Sequence, residues 1–354
     1  MNITTDPFNT ERFRFDWDEL PVVSDDMEGT GGRVRVEIDD FQVTEIPSYL
    51  PSGNGDYIYL YVEKRDLTSY DIVDALKRHG VSERDVGMAG RKDKRAVTRQ
   101  WFSVHREHED KIHAVEDLEG ARIIQMSRHK NKLRLGHLKG NEFLIRVRGA
   151  HESWEERLGV ICERIYEWGL PNYFGPQRFG HFNTNAIDGM RLVNGFNVQG
   201  GRRMHKFFLS ALQSHVFNHI LRMRFSHGHY RAILSGDMAQ KHDTGGMFVV
   251  EDTHTDSRRA KGLDISAVIP MFGKKIKKST GNAGVIEQSI LDEYGLTWEC
   301  FRMAHGARRT SRIKVDYITS KSEDDGYSVR FGLPKGSFAT VLLREITKTE
   351  HGSN

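Results

Sequence analysis

Cysteine is nearly absent from this sequence: two in 354 residues, Cys162 and Cys300, far apart and with no Cys-x-x-Cys pair. A disulfide framework and a cysteine-based zinc site are thereby excluded, and the chain reads as intracellular. Long apolar runs are missing too, none approaching the ~20 residues that cross a bilayer. The opening stretch MNITTDPFNTERFRFDWDEL lacks the charged-then-apolar order of a signal peptide. The expectation is a cytoplasmic protein with no membrane partner. Charge of one sign does not dominate: 52 Lys and Arg face 49 Asp and Glu, net +3. Affinity for nucleic acid would therefore have to come from local clusters. No Rossmann fingerprint or P-loop occurs. Around Gly29, Gly31 and Gly32 no strand precedes and no Gly-Lys-Ser/Thr follows. His105-x-x-His108-Glu109 comes nearest to a metal-ligand spacing, but no second cluster completes it, and it reads as surface. No cofactor and no metal are expected, and no internal repeat is detected.

What is present is ordinary globular composition, 38% hydrophobic and 29% charged, at a length that suggests roughly two domains and allows a sizeable core. Residues 1–28 read as an arm anchored by Phe13, Phe15 and Trp17. Residues 33–38 and 41–46 read as strands joined in a hairpin at Asp39-Asp40, and 57–63 as a further strand. Thr68 or Ser69 can cap a helix carrying Ile72, Val73, Ala75 and Leu76 on one side, ended by Gly80. Strands are expected up to His105, at 121–126 and at 143–147. Helical spacing of Trp154, Leu158, Ile161, Ile165 and Trp168 predicts a helix over 151–168 with Gly169 just past its end. A long helix is predicted over 202–224, irregular structure over 226–282, and a helix over 283–294. Strands are expected at 312–318 and 327–333, and a last helix at 338–346 capped by Ser337.

One stretch, Gly87 to Val104, carries chemistry. A glycine-bounded loop places a single carboxylate, Asp93, among four cations, Arg91, Lys92, Lys94 and Arg95, and runs into a Val/Thr/Trp/Phe-rich segment. Such cations favour an anionic carboxylate, available as nucleophile or base, and recruit a negatively charged substrate. Taken alone, the loop reads rather as a solvated turn between two strands.

The run AGRKDKRAVTRQWFSV resembles the signature of the TruD family of tRNA pseudouridine synthases, whose nucleophilic aspartate lies in an AG-x-KDK-x-AVT-x-QW run. RHKNKLRLGHLKGNEF from Arg128, PNYFGPQRFG from Pro171 and LPKGSFATVLLREI from Leu333 are similar to further blocks of that family, in the same order. The resemblance implies an α/β (α+β) protein with a pseudouridine-synthase-like mixed, largely antiparallel sheet flanked by helices. Residues 1–168 and 306–354 would form the catalytic domain, interrupted by an inserted TRUD-type α/β domain over 169–305. It implies a uridine in tRNA as substrate, position 13 of the D arm, isomerised to pseudouridine without a cofactor by a protein expected to be monomeric.

By the same resemblance Asp93 acts at the ribose of a flipped-out uridine, Phe143 stacks on the base, Asn141 hydrogen-bonds near the aspartate, and Phe41 and Phe338 line the pocket. The family's pocket lysine falls on Arg35, a departure, because a planar guanidinium is not a neutral exchange for an ammonium. Arg91, Lys92, Arg128, Lys130, Lys132, Lys139, Arg178 and the lysine run at 274–278 are the candidate RNA contacts. A non-catalytic RNA-binding protein with the same basic cleft is the alternative reading, and a metal-dependent nuclease a weaker one.

Overall fold

The computed structural model describes residues 10–349. They divide into two compact units, one formed by Thr30–Glu155 with Val315–Gly336, the other by residues 10–29, Glu156–Lys314 and residues 337–349. Among the described residues no helix is long and apolar enough to cross a membrane.

In the first unit the described residues form a nine-stranded sheet. Its main path runs Ile318–Glu323, Gly326–Pro334, Leu138–Ala150, Phe41–Pro47, Val97–His105, Tyr57–Arg65, Ala121–His129. Every pairing is antiparallel except that of Phe41–Pro47 with Val97–His105. The sheet is therefore mixed and largely antiparallel, as expected. Alternation sets its faces: Ile58, Leu60 and Val62 point to one side and join Ile72, Val73 and Leu76 of the Ser69–Arg78 helix, with Phe102 and Val104, in one core cluster. Each such side chain contributes roughly 2 kcal/mol on leaving water. Thr68 starts that helix through a reciprocal bond pair with Asp71, and Gly80, at φ +84°, supplies the left-handed turn after it.

The expected hairpin at Asp39-Asp40 does not form. Gly31–Arg33 pairs instead with Leu138–Ala150, with Arg33 opposite Arg148, and the chain then leaves the sheet through Arg35, which adopts φ +58°. Asp40 is no solvated turn residue. It is 1% exposed, accepts hydrogen bonds of 2.8–3.0 Å from the Arg148 guanidinium, and takes the Glu37 N–H at 2.7 Å. Those bonds lock a short 3-10 turn, Ile38–Asp40, where a two-residue hairpin loop would have been needed.

The second unit is helical around a small antiparallel sheet, ordered Met247–Val249, Met238–Lys241, Ile265–Met271, Ala307–Thr310. The expectation of irregular structure over 226–282 is thus corrected: this span holds three of those strands and the Thr253–Lys261 helix. Ile265–Met271 is buried at every position, so it shows no alternation to read, and the surrounding Gly, His and Lys obscure it. The strand expected at 312–318 is split as well, Arg312–Ile313 pairing with Leu170–Pro171 and Ile318–Glu323 belonging to the first unit. Arg312, 1% exposed, explains the break, since its guanidinium donates to Ser266 Oγ and to the carbonyls of Trp168, Ala260 and Ile265.

The unit boundaries follow different lines from those expected at 168/169 and 305/306. Phe15 of the arm stacks on Phe179 at 4.5 Å, Phe13 lies 5.4 Å from His215, and Arg344 covers Trp17. Glu345 accepts the Val23 and Ser24 N–H groups. Arm and final helix (Ala339–Thr347, N-capped by Phe338 rather than Ser337) therefore pack with Glu156–Lys314. Residues 1–9 of the arm lie outside the described residues.

Candidate active site

The Asp93 loop is built from beneath. Gly87 opens it where a Cβ would collide with the Leu133 carbonyl and Ser103 Oγ, so no larger residue fits. Ser69 Oγ donates to Gln100 Oε1 at 2.7 Å and accepts the Lys92 N–H at 3.0 Å, while Gln100 Nε2 donates to the Gly90 carbonyl at 3.1 Å. The Lys92 side chain turns inward, 4% exposed, and its Nζ lies 2.8 Å from Glu45 Oε2, whose side chain is 1% exposed. The other Glu45 oxygen accepts the Trp101 N–H. Lys64, fully buried, donates from Nζ to the Leu67 carbonyl at 2.5 Å and to the Asp93 carbonyl at 3.2 Å. Burial pulls its ammonium down to about 8, and Asp93 opposes part of that shift.

On this base the Asp93 carboxylate is half-buried and faces Arg35. Arg35 donates to Asp93 Oδ2 at 2.7 Å, and its guanidinium lies 3.8 Å from the centre of the Phe41 ring. The positive-φ turn at Arg35 aims the side chain back over the sheet, a conformation that costs of order 1 kcal/mol for a non-glycine residue. Phe143 meets Phe41 edge-on at 6.2 Å and stacks on Phe331 at 5.2 Å. Asn141 lies directly across from Glu45 on paired strands, and its Oδ1 is buried without a hydrogen-bond partner. An unsatisfied buried acceptor beside an ion-paired carboxylate and an aromatic pair is an arrangement that a polar ligand completes.

The structure thus gathers Arg35, Phe41, Asp93, Asn141 and Phe143 in one unit. Phe338 belongs to the other, edge-on to Phe174 at 5.7 Å. Of the candidate RNA contacts, Arg91, Lys130 and Lys139 are exposed, and Arg128 is exposed but paired with Glu109 at 2.9 Å. Lys132 is half-buried and donates to the Arg84 carbonyl. Lys92 is a correction: buried against Glu45, it has no reach to a phosphate. Arg178 sits in the second unit, its Nε on Ser214 Oγ at 3.0 Å and its guanidinium beside Phe174, and the lysines at 274–278 are exposed on that same unit. His108, singled out with His105 and Glu109, instead lies 3.4 Å from Glu107 and 3.7 Å from Asp85.

A family model described as tRNA pseudouridine synthase D (TruD) matches residues 20–196 and 199–346. The chain belongs to the TruD family. It is 43% identical over 334 residues to a tRNA pseudouridine synthase D of Thermus thermophilus, covering 94% of this chain and 93% of that one. It is 41% identical over 345 residues to the tRNA pseudouridine synthase D of Anaeromyxobacter dehalogenans strain 2CP-C, covering 94% and 97%. A Methanosarcina mazei crystal structure assigned to TruD superposes with a TM-score of 0.74, covering 96% of this chain and 98% of that one; at 24% identity it speaks to the fold alone.

Within this TruD chain, reading the motifs missed the groups below the loop: Glu45, Lys64, Ser69 and Gln100. A signal for two of them exists. Lys64 follows Leu60 and Val62 at the core-facing parity of its strand, and Glu45 follows Phe41 and Val43. A charge at a core position that a strand's alternation demands is a buried charge with a partner to be found.

The two buried charges make separable predictions. Glu45→Gln leaves the Lys92 ammonium buried without its counter-charge and is expected to cost about 3 kcal/mol. Adding Lys92→Met should recover most of that loss in a denaturation midpoint, and a double variant no more stable than the single would assign the loss elsewhere. For Lys64 the folded value lies below the ordinary 10.5, so between about pH 8 and 10.5 the unfolded chain holds a proton that the folded chain has released. Stability linked to Lys64 therefore rises with pH across that window. Relative to Lys64→Met, the parent should gain stability there at up to roughly 1.4 kcal/mol per pH unit. Parallel pH–stability curves would contradict it.

Proposed function

We propose that Asp93 performs the chemistry of this TruD protein at the ribose of a uridine extruded from tRNA, at position 13 of the D arm. Family membership gives the coarser activity: isomerisation of uridine to pseudouridine in tRNA. The rearrangement breaks the bond between N1 and C1′, turns the base and joins C5 to C1′, and the hydrogen on C5 is exchanged for one on N1. Substrate and product hold the same atoms, so the residues need only activate the sugar, hold the base and exclude water.

The observation that carries this reading is the Arg35–Asp93 pair over Phe41, in the loop that bears the family signature. Asp93 has two chemically open roles, nucleophile at C1′ or base toward the C2′ hydrogen. Arg35 serves both by fixing one carboxylate oxygen and leaving the other for the substrate. Lys64 and the Lys92–Glu45 pair act through the loop backbone, as positioning residues. Phe143 offers a ring to the base, and Asn141 Oδ1 an acceptor for a base N–H. We take the unit formed by Thr30–Glu155 with Val315–Gly336 as the catalytic part, and the exposed cations beside the loop as phosphate contacts.

The test is incubation of the purified protein with an unmodified tRNA transcript carrying U13, followed by carbodiimide treatment and primer extension. A stop at position 13 that is absent with Asp93→Ala is expected, and Asp93→Ala should bind the transcript with parental affinity. Tight binding without any new stop on several tRNAs would leave a binding protein instead. For Phe143→Ala the expectation is a fall in turnover of at least about tenfold with affinity within about threefold, because phosphate contacts dominate binding. Equal turnover by variant and parent would remove the stacking role.

A further inference from the structure

The sheet bearing Asp93 has a second concave feature to which the proposed reaction gives no part. Where the Ala121–His129 strand gives way to the following loop lies a cleft of about 630 Å³, lined by Tyr49, Tyr57, His129, Lys132, Arg134 and His137. That volume is within the usual range for a small-molecule site. Its lining combines flat rings with cations. Tyr49 stacks on His129, centroids 5.0 Å apart and planes 24° from parallel.

The rings are fixed in advance. The Tyr49 hydroxyl is bonded to His137 Nδ1 at 2.8 Å and to the Tyr59 hydroxyl at 3.3 Å, and Tyr59 in turn donates to the Asn131 carbonyl at 2.9 Å. The Ser52 N–H donates to His129 Nδ1 at 3.2 Å, so the neutral ring carries its hydrogen on Nε2 and presents a donor there. Rings held this way lose little freedom when a ligand arrives. Exposed Arg134 and half-buried Lys132 add positive charge, and Leu50, 71% exposed, forms an apolar lip.

We infer that this cleft binds one unpaired nucleotide of the RNA, its base against the Tyr49–His129 pair and its phosphate on Arg134 and Lys132. The inference rests on the reading of the chain as an RNA-acting enzyme and adds to it a contact away from the target uridine. Stacking accepts any base, so the site favours an unpaired residue over a particular sequence. A free nucleotide shares this chemistry, and the test separates the two sources.

The experiment uses the full chain and a series of tRNA transcripts, each with one unpaired nucleotide replaced by an abasic residue, with Kd measured by filter binding. One position should weaken binding by about tenfold. His129→Ala and Arg134→Ala should each weaken binding of intact tRNA, and His129→Ala should add nothing further at that one position. Arg134 is exposed, so its variant remains informative if His129→Ala fails to fold. Losses that multiply at every position, or variants that bind intact tRNA as the parent does, would overturn the inference. A flat abasic series with saturable AMP binding abolished by Arg134→Ala would overturn it in favour of a free nucleotide. Because Kd is read without turnover, failure here leaves the isomerase reading untouched, and failure of that reading shows as absent pseudouridine at full affinity.

Discussion

The buried ion pair between Lys92 and Glu45 is the constraint on which the site depends. Removing two charges from water costs several kcal/mol per ion, and attraction offsets this only when geometry and further hydrogen bonds are good. Here both conditions hold: the contact is 2.8 Å, and the second Glu45 oxygen is occupied by the Trp101 N–H. Lys92 directly precedes Asp93. Its side chain is anchored in the core while that of Asp93 is half-buried and paired with Arg35, so the buried pair holds the loop at the residue adjoining the Asp93 carboxylate. Lys64 tightens the same point from the other side by holding the Asp93 carbonyl. The carboxylate itself stays accessible while everything beneath it is fixed, the division of labour that a preorganised site requires.

Signature residues and buried supports differ in how they can be read. Asp93 stood out through the charge pattern of its own loop, whereas Asn141 and Phe143 were reached through the resemblance; alternation located most strands of the sheet, and the resemblance implied its largely antiparallel order. Arg35 was legible only through the resemblance, since nothing local to VRVEIDDF indicates a positive-φ residue whose guanidinium reaches a carboxylate 58 positions later. Charge alone misled at Lys92. Four cations around a carboxylate look like one electropositive face, but Lys92 alone turns into the core while Arg91, Lys94 and Arg95 stay exposed, and only burial separates the anchor from its neighbours.

The failed hairpin has the same physical origin. Asp39-Asp40 resembles a turn by composition, but a buried Asp40 gripped by Arg148 is a tertiary contact across 108 positions, and a contact of that kind overrides local propensity. Missing the three strands within 226–282 is a different failure: Ile265–Met271, covered on both faces, carries no period to detect, and Met238–Lys241 and Met247–Val249 are only four and three residues long. The arm and the final helix are short and far apart in sequence, and their packing on one another, Arg344 over Trp17 and Glu345 on the Val23 and Ser24 N–H groups, exists only in three dimensions.

A guanidinium rather than an ammonium opposite Asp93 is accommodated by this surrounding geometry. A lysine ammonium is a point charge that could meet Asp93 from many directions, whereas a guanidinium is planar and must lie flat somewhere. Phe41 supplies that surface at 3.8 Å, and stacking fixes the plane so that one N–H meets Oδ2. Since Phe41 is itself 1% exposed and begins the strand that contains Glu45, the same strand fixes both the cation above Asp93 and the anion below Lys92. Positions of the carboxylate and of its partner are therefore not independent. A change in the register of Phe41–Pro47 would move both at once, and with a side-chain period of two it would also turn Glu45 out of the core.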